Sequence, residues 1–293
     1  MLTMQKSFDG QSEMGVLYLV PTPIGNLGDM TFRAVQTLKE VDYIAAEDTR
    51  QTKKLCHVYE IETPLTSYHE HNKESSGHKL IEWLKEGKHI ALVSDAGLPT
   101  ISDPGAEIVR DFTKIGGYVV PLPGANAALT ALIASGIAPQ PFFFYGFLDR
   151  QKKEKKKQLE SLKHREETII FYEAPHRLKE TLSVLKEIWG NRDIAITREL
   201  TKKFEEFIRG DLEQVITWAD NHQIRGEFCL VVQGNQHADE DHAEEVWWQS
   251  LSEKEHVIHY IDEGLTSKEA IKRAAVERGV PKRVVYDAYH IEK

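Results

Sequence analysis

Asp95 and Asp103 are the first residues in this chain with the look of chemistry. They flank Gly97 and Pro99 within residues 91–104, Ala-Leu-Val-Ser-Asp-Ala-Gly-Leu-Pro-Thr-Ile-Ser-Asp-Pro. Carboxylates gathered on a stiff loop can exchange protons, face a cationic group or ligate a metal. A second cluster, Glu47-Asp48-Thr49-Arg50, joins two acids to an arginine. A third, Arg198-Glu199-Leu200-Thr201-Lys202-Lys203-Phe204-Glu205-Glu206, mixes both signs. His69-Glu70-His71 invites a metal reading, but its i, i+2 spacing is poor for ligands on one helix face and no third ligand is near. Those histidines read as loop residues or substrate contacts, and no metal site is expected.

These groups sit where the local pattern ends a strand. Ile90–Val93 is a short apolar run of the kind that forms a buried strand. Asp103 before Pro104 suits an N-cap and a first helical position, so the stretch reads as strand, loop and helix. In open α/β sheets, ligands sit at the carboxyl ends of such strands. Residues 16–20 form another strand and run into Pro21-Thr22-Pro23-Ile24-Gly25-Asn26-Leu27-Gly28-Asp29, a loop whose glycines let backbone approach a ligand. Neither GxGxxG nor GxxxxGK[ST] occurs, so the dinucleotide and P-loop fingerprints are absent. Residues 41–46 end at the Glu47 cluster, which is either a site or a helix start whose acids suit its dipole. Further strands are expected over 118–122, 142–147, 168–173, 193–197 and 226–232. Helices are expected over 31–40, 73–87, 125–135 and 211–221.

Composition narrows the class. The chain has 293 residues, 41% apolar, with a formal net charge of −9. Its two cysteines, Cys56 and Cys229, lie far apart, which suits a reducing cytoplasm rather than a disulfide or zinc framework. Residues 115–148 carry no charge, yet four prolines break the run. A membrane span needs about 20 continuous apolar residues, so this region reads as buried core. Against the acidic background, Arg150–Arg165 holds eight basic and two acidic residues, net +6. Such a run is a solvated helix face or a phosphate-binding surface. Residues 1–15 read as a loose polar tail, and 235–245 as an acidic linker. Residues 246–293 form short helices, with a helix, Gly-containing turn and helix over 266–283 at net +4. That segment is either a helix-turn-helix or a packing cap.

The ordered motifs Pro-Thr-Pro-Ile-Gly-Asn-Leu-Gly-Asp, Ala-Glu-Asp-Thr-Arg, Val-Ser-Asp-Ala-Gly-Leu-Pro, Pro-Gly-Ala-Asn-Ala, Tyr-Gly-Phe-Leu, Tyr-Glu-Ala-Pro-His-Arg and Arg-Glu-Leu-Thr-Lys-Lys-Phe-Glu-Glu are similar to those of the ribosomal RNA small subunit methyltransferase I family, in the tetrapyrrole methylase superfamily. The resemblance covers about residues 16–234, and the helical tail also looks like the family's extension. The extended polar N-terminus departs from the pattern without touching a motif.

The resemblance implies a two-domain α/β fold of the tetrapyrrole methylase (class III methyltransferase) type with a small C-terminal helical extension. The divisions would be a tail (1–15), an N-terminal α/β domain (16–122), a C-terminal α/β domain (123–236), and a linker with helical extension (237–293). It implies S-adenosyl-L-methionine between the domains, a homodimer, no metal, and 2′-O-methylation of a decoding-centre cytidine of 16S rRNA in the small subunit. The cofactor would lie against Pro21, Thr22, Ile24, Gly25, Asn26, Asp95, Leu98, Ser102, Ala127, Ala128, Tyr172 and Glu173. Glu47, Asp48, Glu199 and Lys202 are the candidates to help the ribose hydroxyl lose its proton. Arg50 and Arg177 would hold RNA, with Lys152, Lys153, Lys155 and Lys156 along the basic run. The rival readings are a tetrapyrrole-precursor methyltransferase of the same superfamily and a non-catalytic RNA-binding module. A metal-dependent hydrolase built on Asp95 and Asp103 lacks further ligands at useful spacing.

Overall fold

The computed structural model describes residues 4–7, 13–236, 248 and 250–290. The chain divides into two compact units, 1–234 and 235–293. The larger holds two five-stranded sheets. The first runs β3(Leu65–Ser67)–β2(Tyr43–Ala46)–β4(Ile90–Val93)–β1(Val16–Leu19)–β5(Tyr118–Pro121), with every pairing parallel. A parallel strand buried on both faces has no polar side to alternate, and all four residues of β4 are buried. Helices α1(Phe32–Glu40) and α2(Thr49–Val58) accompany the core on Leu38, Ile44 and Val93, and α3(Lys73–Lys85) and α4(Ala106–Lys114) the core on Leu80, Leu92 and Phe112. Because all strands point one way, the loops after β1, β2, β4 and β5 collect at one edge.

The second sheet runs β6(Phe142–Phe147)–β7(Thr168–Glu173)–β10(Phe228–Val232)–β8(Asp193–Arg198)–β9(Glu206–Asp211). Only β6 and β7 are parallel; the other pairings are antiparallel. Helix α5(Ala127–Ser135) contributes Ala131 and Leu132 to the core on one face. Helices α6(Lys152–Leu162), α7(Leu178–Trp189) and α8(Leu212–Asn221) pack against the other. A capping box by Asp211 and Gln214 starts α8.

The smaller unit is a three-helix cluster, α9(Glu253–Asp262), α10(Ser267–Glu277) and α11(Lys282–His290), closed over Val257, Tyr260, Ile271, Ala274 and Val285. Capping boxes at Ser252 and Thr266 start its first two helices. A turn through Gly279 joins α10 to α11, the expected helix, turn and helix.

Several expectations change. Asp103 does not cap α4; the N-cap is Gly105, at φ 142°, and Asp103 faces the loop cluster instead. A side chain at 105 would run into Leu92 and Thr100, so the chain turns there on glycine and Asp103 is left two residues upstream. The charge-free stretch 115–148 is not all core, because Ile133 is 79% exposed and Leu129 47% on one face of α5. Within the polar tail, Gln5 grips the edge strand, donating to the Val119 carbonyl (2.8 Å) and accepting from its N–H (3.0 Å). Residues 1–3 and 8–12 of that tail, and 237–245 of the acidic linker, fall outside the described residues. No helix among the described residues is long and apolar enough to cross a membrane.

The largest correction concerns the basic run. Lys155 is fully buried, its ammonium donating to Glu180 (2.6 Å) and Thr181 (3.0 Å) on α7. A cation in that position cannot reach RNA; it ties α6 to α7. Lys156 pairs with Glu187 on the same helix. Lys152 and Lys153 are exposed. Removing one partner of a buried pair leaves a desolvated group behind, at a cost of several kcal/mol. Glu180 is half-exposed and rehydrates, so Lys155→Ala is expected to lower the unfolding free energy by about 2–4 kcal/mol. Lys152→Ala should leave the urea midpoint unmoved, and equal midpoints for the two variants would refute the structural role.

Candidate active site

A cleft of about 560 Å³ lies between loops of the first sheet and the face of the second. Its floor follows from strand register. Cys229 stands opposite Tyr172 on one side and Thr197 on the other, so three adjacent strands present one residue each to the same row. Tyr172 is fixed at both ends. Its ring meets Phe144 and Phe147 edge-on (5.1 and 5.6 Å), and its hydroxyl accepts the Ala128 N–H (3.1 Å) at the start of α5. Burial pushes that phenol up to about 12.

The facing wall is the loop between β4 and α4. Thr22 and Gly97 exchange two backbone hydrogen bonds of 3.0 Å each, which lock this loop to the one after β1. Thr22 also donates its hydroxyl to the Ser94 carbonyl (3.1 Å). Gly97 sits at φ +77° with Ile24 and the Ala125 carbonyl close to where a Cβ would stand, so the turn favours glycine there. Asp95, Leu98, Ser102 and Asp103 then line the cleft, with Ile24 and Ala127 beside them.

Three carboxylates meet at the end of this wall. The Asp48 N–H donates to Asp95 Oδ1 (3.1 Å), joining the end of β2 to the end of β4. Glu47 is raised above the usual carboxylate range by burial, then by the charges of Asp103 and Asp95. Asp103 is raised by burial and by Asp95, against a hydrogen bond from Ser94. The bond between Glu47 and Asp103 raises the first and lowers the second, although both carboxyls stay above the ordinary range. Asp48 behaves differently. It caps α2, takes both arms of the Arg50 guanidinium (3.0 and 2.8 Å) and is held down to about 2.

Across the cleft, Lys202 lies between two acids, donating to Glu227 (2.8 Å) and Glu199 (3.2 Å). Burial disfavours its charge, but these carboxylates outweigh it and raise the ammonium's pKa. Burial likewise opposes ionisation of Glu199, yet the Glu227 N–H and Lys202 together hold that carboxyl low. The Lys202 stem lies on Gly25, where a Cβ would come within 2.3 Å of it. Asn26 N–H donates to Thr201 Oγ1 (3.1 Å), so the loops of the two sheets touch at this point.

Of the residues singled out in the sequence, Ile24, Asp95, Leu98, Ser102, Ala127, Tyr172, Glu173 and Lys202 line this cleft. The Glu173 carboxylate is engaged by the Ala174 N–H (2.9 Å), the Thr181 hydroxyl (2.6 Å) and Arg177 (3.1 Å). Arg177 points inward too, donating to the Leu148 and Asp149 carbonyls. Ala128 is buried behind the lining, Pro21 packs beneath Gly124, and Asn26 caps the short turn Leu27–Asp29. Thr22 and Gly25 line a second pocket of about 230 Å³ between the β1 loop and α2; Asp95 borders both spaces. Phe147, His176, Thr197, Leu200, Glu227 and Cys229 line the cleft without having been singled out for it. Thr197 and Cys229 are ordinary inward residues of strands, and only the pairing register brings them to the site. Among the described residues no group of His, Cys, Asp and Glu is arranged to hold a metal ion.

The family model of the Tetrapyrrole (Corrin/Porphyrin) Methylases matches residues 16–216. The Ribosomal RNA small subunit methyltransferase I of Bacillus subtilis (strain 168) is 78% identical over 293 residues, 100% of each chain. That of Halalkalibacterium halodurans is 58% identical over 288 residues, 98% of this chain and 99% of the relative. Among solved structures, diphthine synthase matches with a TM-score of 0.59 and 13% identity, over 77% of this chain and 94% of that one. Cobalt precorrin-4 methyltransferase matches with a TM-score of 0.55 and 18% identity, over 74% and 94%. At such identities the solved structures speak for the fold, whereas the full-length matches speak for the family. The chain belongs to the ribosomal RNA small subunit methyltransferase I family of tetrapyrrole methylases.

Proposed function

We propose that this protein uses S-adenosyl-L-methionine to methylate the 2′-oxygen of a decoding-centre cytidine in 16S rRNA of the small ribosomal subunit. The observation that carries the reading is the cleft itself: a volume within the range of about 300–1,000 Å³ typical of cofactor sites, lined at its acid end by Asp95 and Asp103, against which the raised Glu47 carboxyl lies. The lining suits the cofactor. Ile24, Leu98 and Ala127 offer apolar surface for a flat adenosine, while exposed Asp95 faces the cleft for an amino or sulfonium charge. When bound, the cofactor supplies an electrophilic methyl on a cationic sulfonium, whose carbon–sulfur bond breaks as the bond to the 2′-oxygen forms. Aligning nucleophile and methyl contributes on the order of 7–11 kcal/mol.

The chain's own residues then divide the work. Glu47 accepts the 2′-hydroxyl proton, since its raised pKa brings it closer to the working pH than an ordinary carboxylate. Asp48, held near 2 and capped by Arg50, is too weak a base and instead positions α2. Lys202 keeps its charge and faces the cleft as a cation for ribose or phosphate. The enzyme works as a homodimer in this reading, supported by Leu129 and Ile133, which share an exposed face of α5.

The decisive assay is tritium transfer from labelled cofactor into small subunits lacking the modification, with the product nucleoside identified by mass spectrometry. Label at a cytidine 2′-oxygen supports the proposal; cofactor binding without label in rRNA moves the function to a small-molecule acceptor. Because Glu47 must be ionised to act, activity should rise with pH through a limb above the usual carboxylate range. Glu47→Gln should abolish that limb and slow single-turnover transfer by roughly 10²–10⁴, and Asp103→Asn should move it to lower pH. A limb unmoved by either variant rules Glu47 out.

Neutralising Lys152 and Lys153 together is expected to weaken rRNA binding and flatten the plot of log K against log salt by about 0.7–0.9 for each phosphate no longer neutralised. An unchanged slope removes α6 from the RNA path. Ile133→Asp should shift sedimentation toward the monomer without altering cofactor affinity; a retained dimer would place the interface elsewhere.

A further inference from the structure

We propose that the second, smaller pocket seats the pyrimidine base of the target nucleotide, with Gln51 and Lys54 reading its edge. The inference rests on the rRNA 2′-O-methylation reading and assigns a subsite within it. At about 230 Å³ the pocket lies below the size usual for drug-sized ligands and fits one flat ring. It lies next to the cleft, with Asp95 bordering both spaces and accepting the Asp48 N–H (3.1 Å). A nucleotide whose base occupies this pocket therefore has its ribose at the junction that also holds the Glu47–Asp48 segment.

The walls have the chemistry for a base. Leu27 (46% exposed) and Val58 (52% exposed) face solvent at the pocket although both are apolar, and Leu55 lines it with them. Apolar side chains on either side of a flat space take the faces of an unstacked base, as in enzymes that extract their target nucleotide. The polar groups stand apart from these walls. Gln51 Oε1 accepts from Lys54 Nζ (3.0 Å), so the Gln51 amide N–H₂ remains the outward donor. Two donors suit cytosine, whose O2 and N3 are both acceptors. Uracil carries a hydrogen on N3 and leaves one donor unanswered, so it fits the space but binds less well than cytosine.

The surroundings favour a nucleic acid over another flat ligand. Arg50, Lys53 and Lys54 are all exposed on the first turns of α2, in a chain with net charge −9. The Arg50 side chain is 87% exposed even while paired with Asp48. Cations clustered beside a base-sized pocket provide for the phosphates on either side of an extruded nucleotide.

The test compares wild type, Gln51→Ala, Leu55→Trp and Val58→Trp on unmodified small subunits carrying cytidine or uridine at the target position. Cofactor affinity is measured by calorimetry, and subunit affinity with S-adenosylhomocysteine bound. Wild type is expected to prefer cytidine by about 5–150-fold, the range for one misread base. Gln51→Ala should reduce that preference to less than threefold. Either tryptophan fills the pocket and should lower both subunit affinity and single-turnover rate at least tenfold, with cofactor affinity within twofold of wild type. Val58 lies at the rim, so its variant reports even where Leu55→Trp perturbs folding. Wild-type rates in Val58→Trp, or an undiminished cytidine preference in Gln51→Ala, overturn the assignment. A wild type that binds cofactor but labels neither subunit overturns the rRNA reading itself.

Discussion

The three carboxylates at the ends of β2 and β4 repel one another, and much of the surrounding structure serves to hold them together. Glu47 and Asp103 are both partly buried, which raises the cost of ionising either. Two of the offsetting interactions come from the backbone and one from a side chain. The Asp95 N–H reaches Glu47, the Asp48 N–H reaches Asp95, and the Ser94 side chain reaches Asp103. Those donors are in place only because the loop after β4 is pinned to the loop after β1 by the Thr22–Gly97 pair. Thr100 is held at φ 75° and Gly105 at 142° within the same loop. A non-glycine residue in that region costs of order 1–3 kcal/mol and persists only where its surroundings over-determine it. The strain lies in the loop that carries Asp95 and Asp103.

On the opposite side of the cleft the same logic works through opposite charges. Glu199 and Thr201 are also left-handed without being glycine, at φ 51° and 65°. They bring Glu199, Lys202 and Glu227 into one ion-paired group. One side of the cleft thus gathers like charges whose carboxyls are raised, and the other holds a cation among acids. Gly25 lets the two come close, since any side chain there would displace the Lys202 stem. Perturbed titratable groups gathered in a cleft mark a candidate site: Glu47 and Asp103 are raised together on one side, while Glu199 is lowered and Lys202 raised on the other.

Much of this arrangement is legible in the sequence. The buried strands β1, β4, β7 and β10 are apolar runs bounded by Gly, Pro and Asp, and their loops carry the motifs that point to the cleft. Local pattern misses what depends on distant partners. β9 reads Glu-Phe-Ile-Arg-Gly-Asp, a charged edge strand whose identity comes from its pairing with β8. Asp103 before Pro104 has the look of a cap, but the turn is completed on Gly105. The row Tyr172, Cys229 and Thr197 exists only through the register of three strands. Asp48 and Glu47 are neighbours in the chain with opposite pKa shifts, because one meets Arg50 and a helix start while the other turns toward two acids.

The basic run shows why charge counted along a sequence misleads about charge available at a surface. α6 lies against α7, which brings Glu180 and Glu187 to its lysines. Lys155 then links through Thr181 to Glu173, and Glu173 to Arg177, so a chain of buried polar contacts runs from the basic helix to the rim of the cleft. Such a network rigidifies because each member left unpaired would be costly. Much of the apparent nucleic-acid signal of α6 is therefore spent on holding α7 and the cleft rim in place. α2 has fewer cations, but Arg50, Lys53 and Lys54 keep theirs at the surface beside a pocket that shares Asp95 with the cleft. In an acidic protein, exposed cations beside a pocket remain available to a phosphate, whereas charges neutralised within the fold do not.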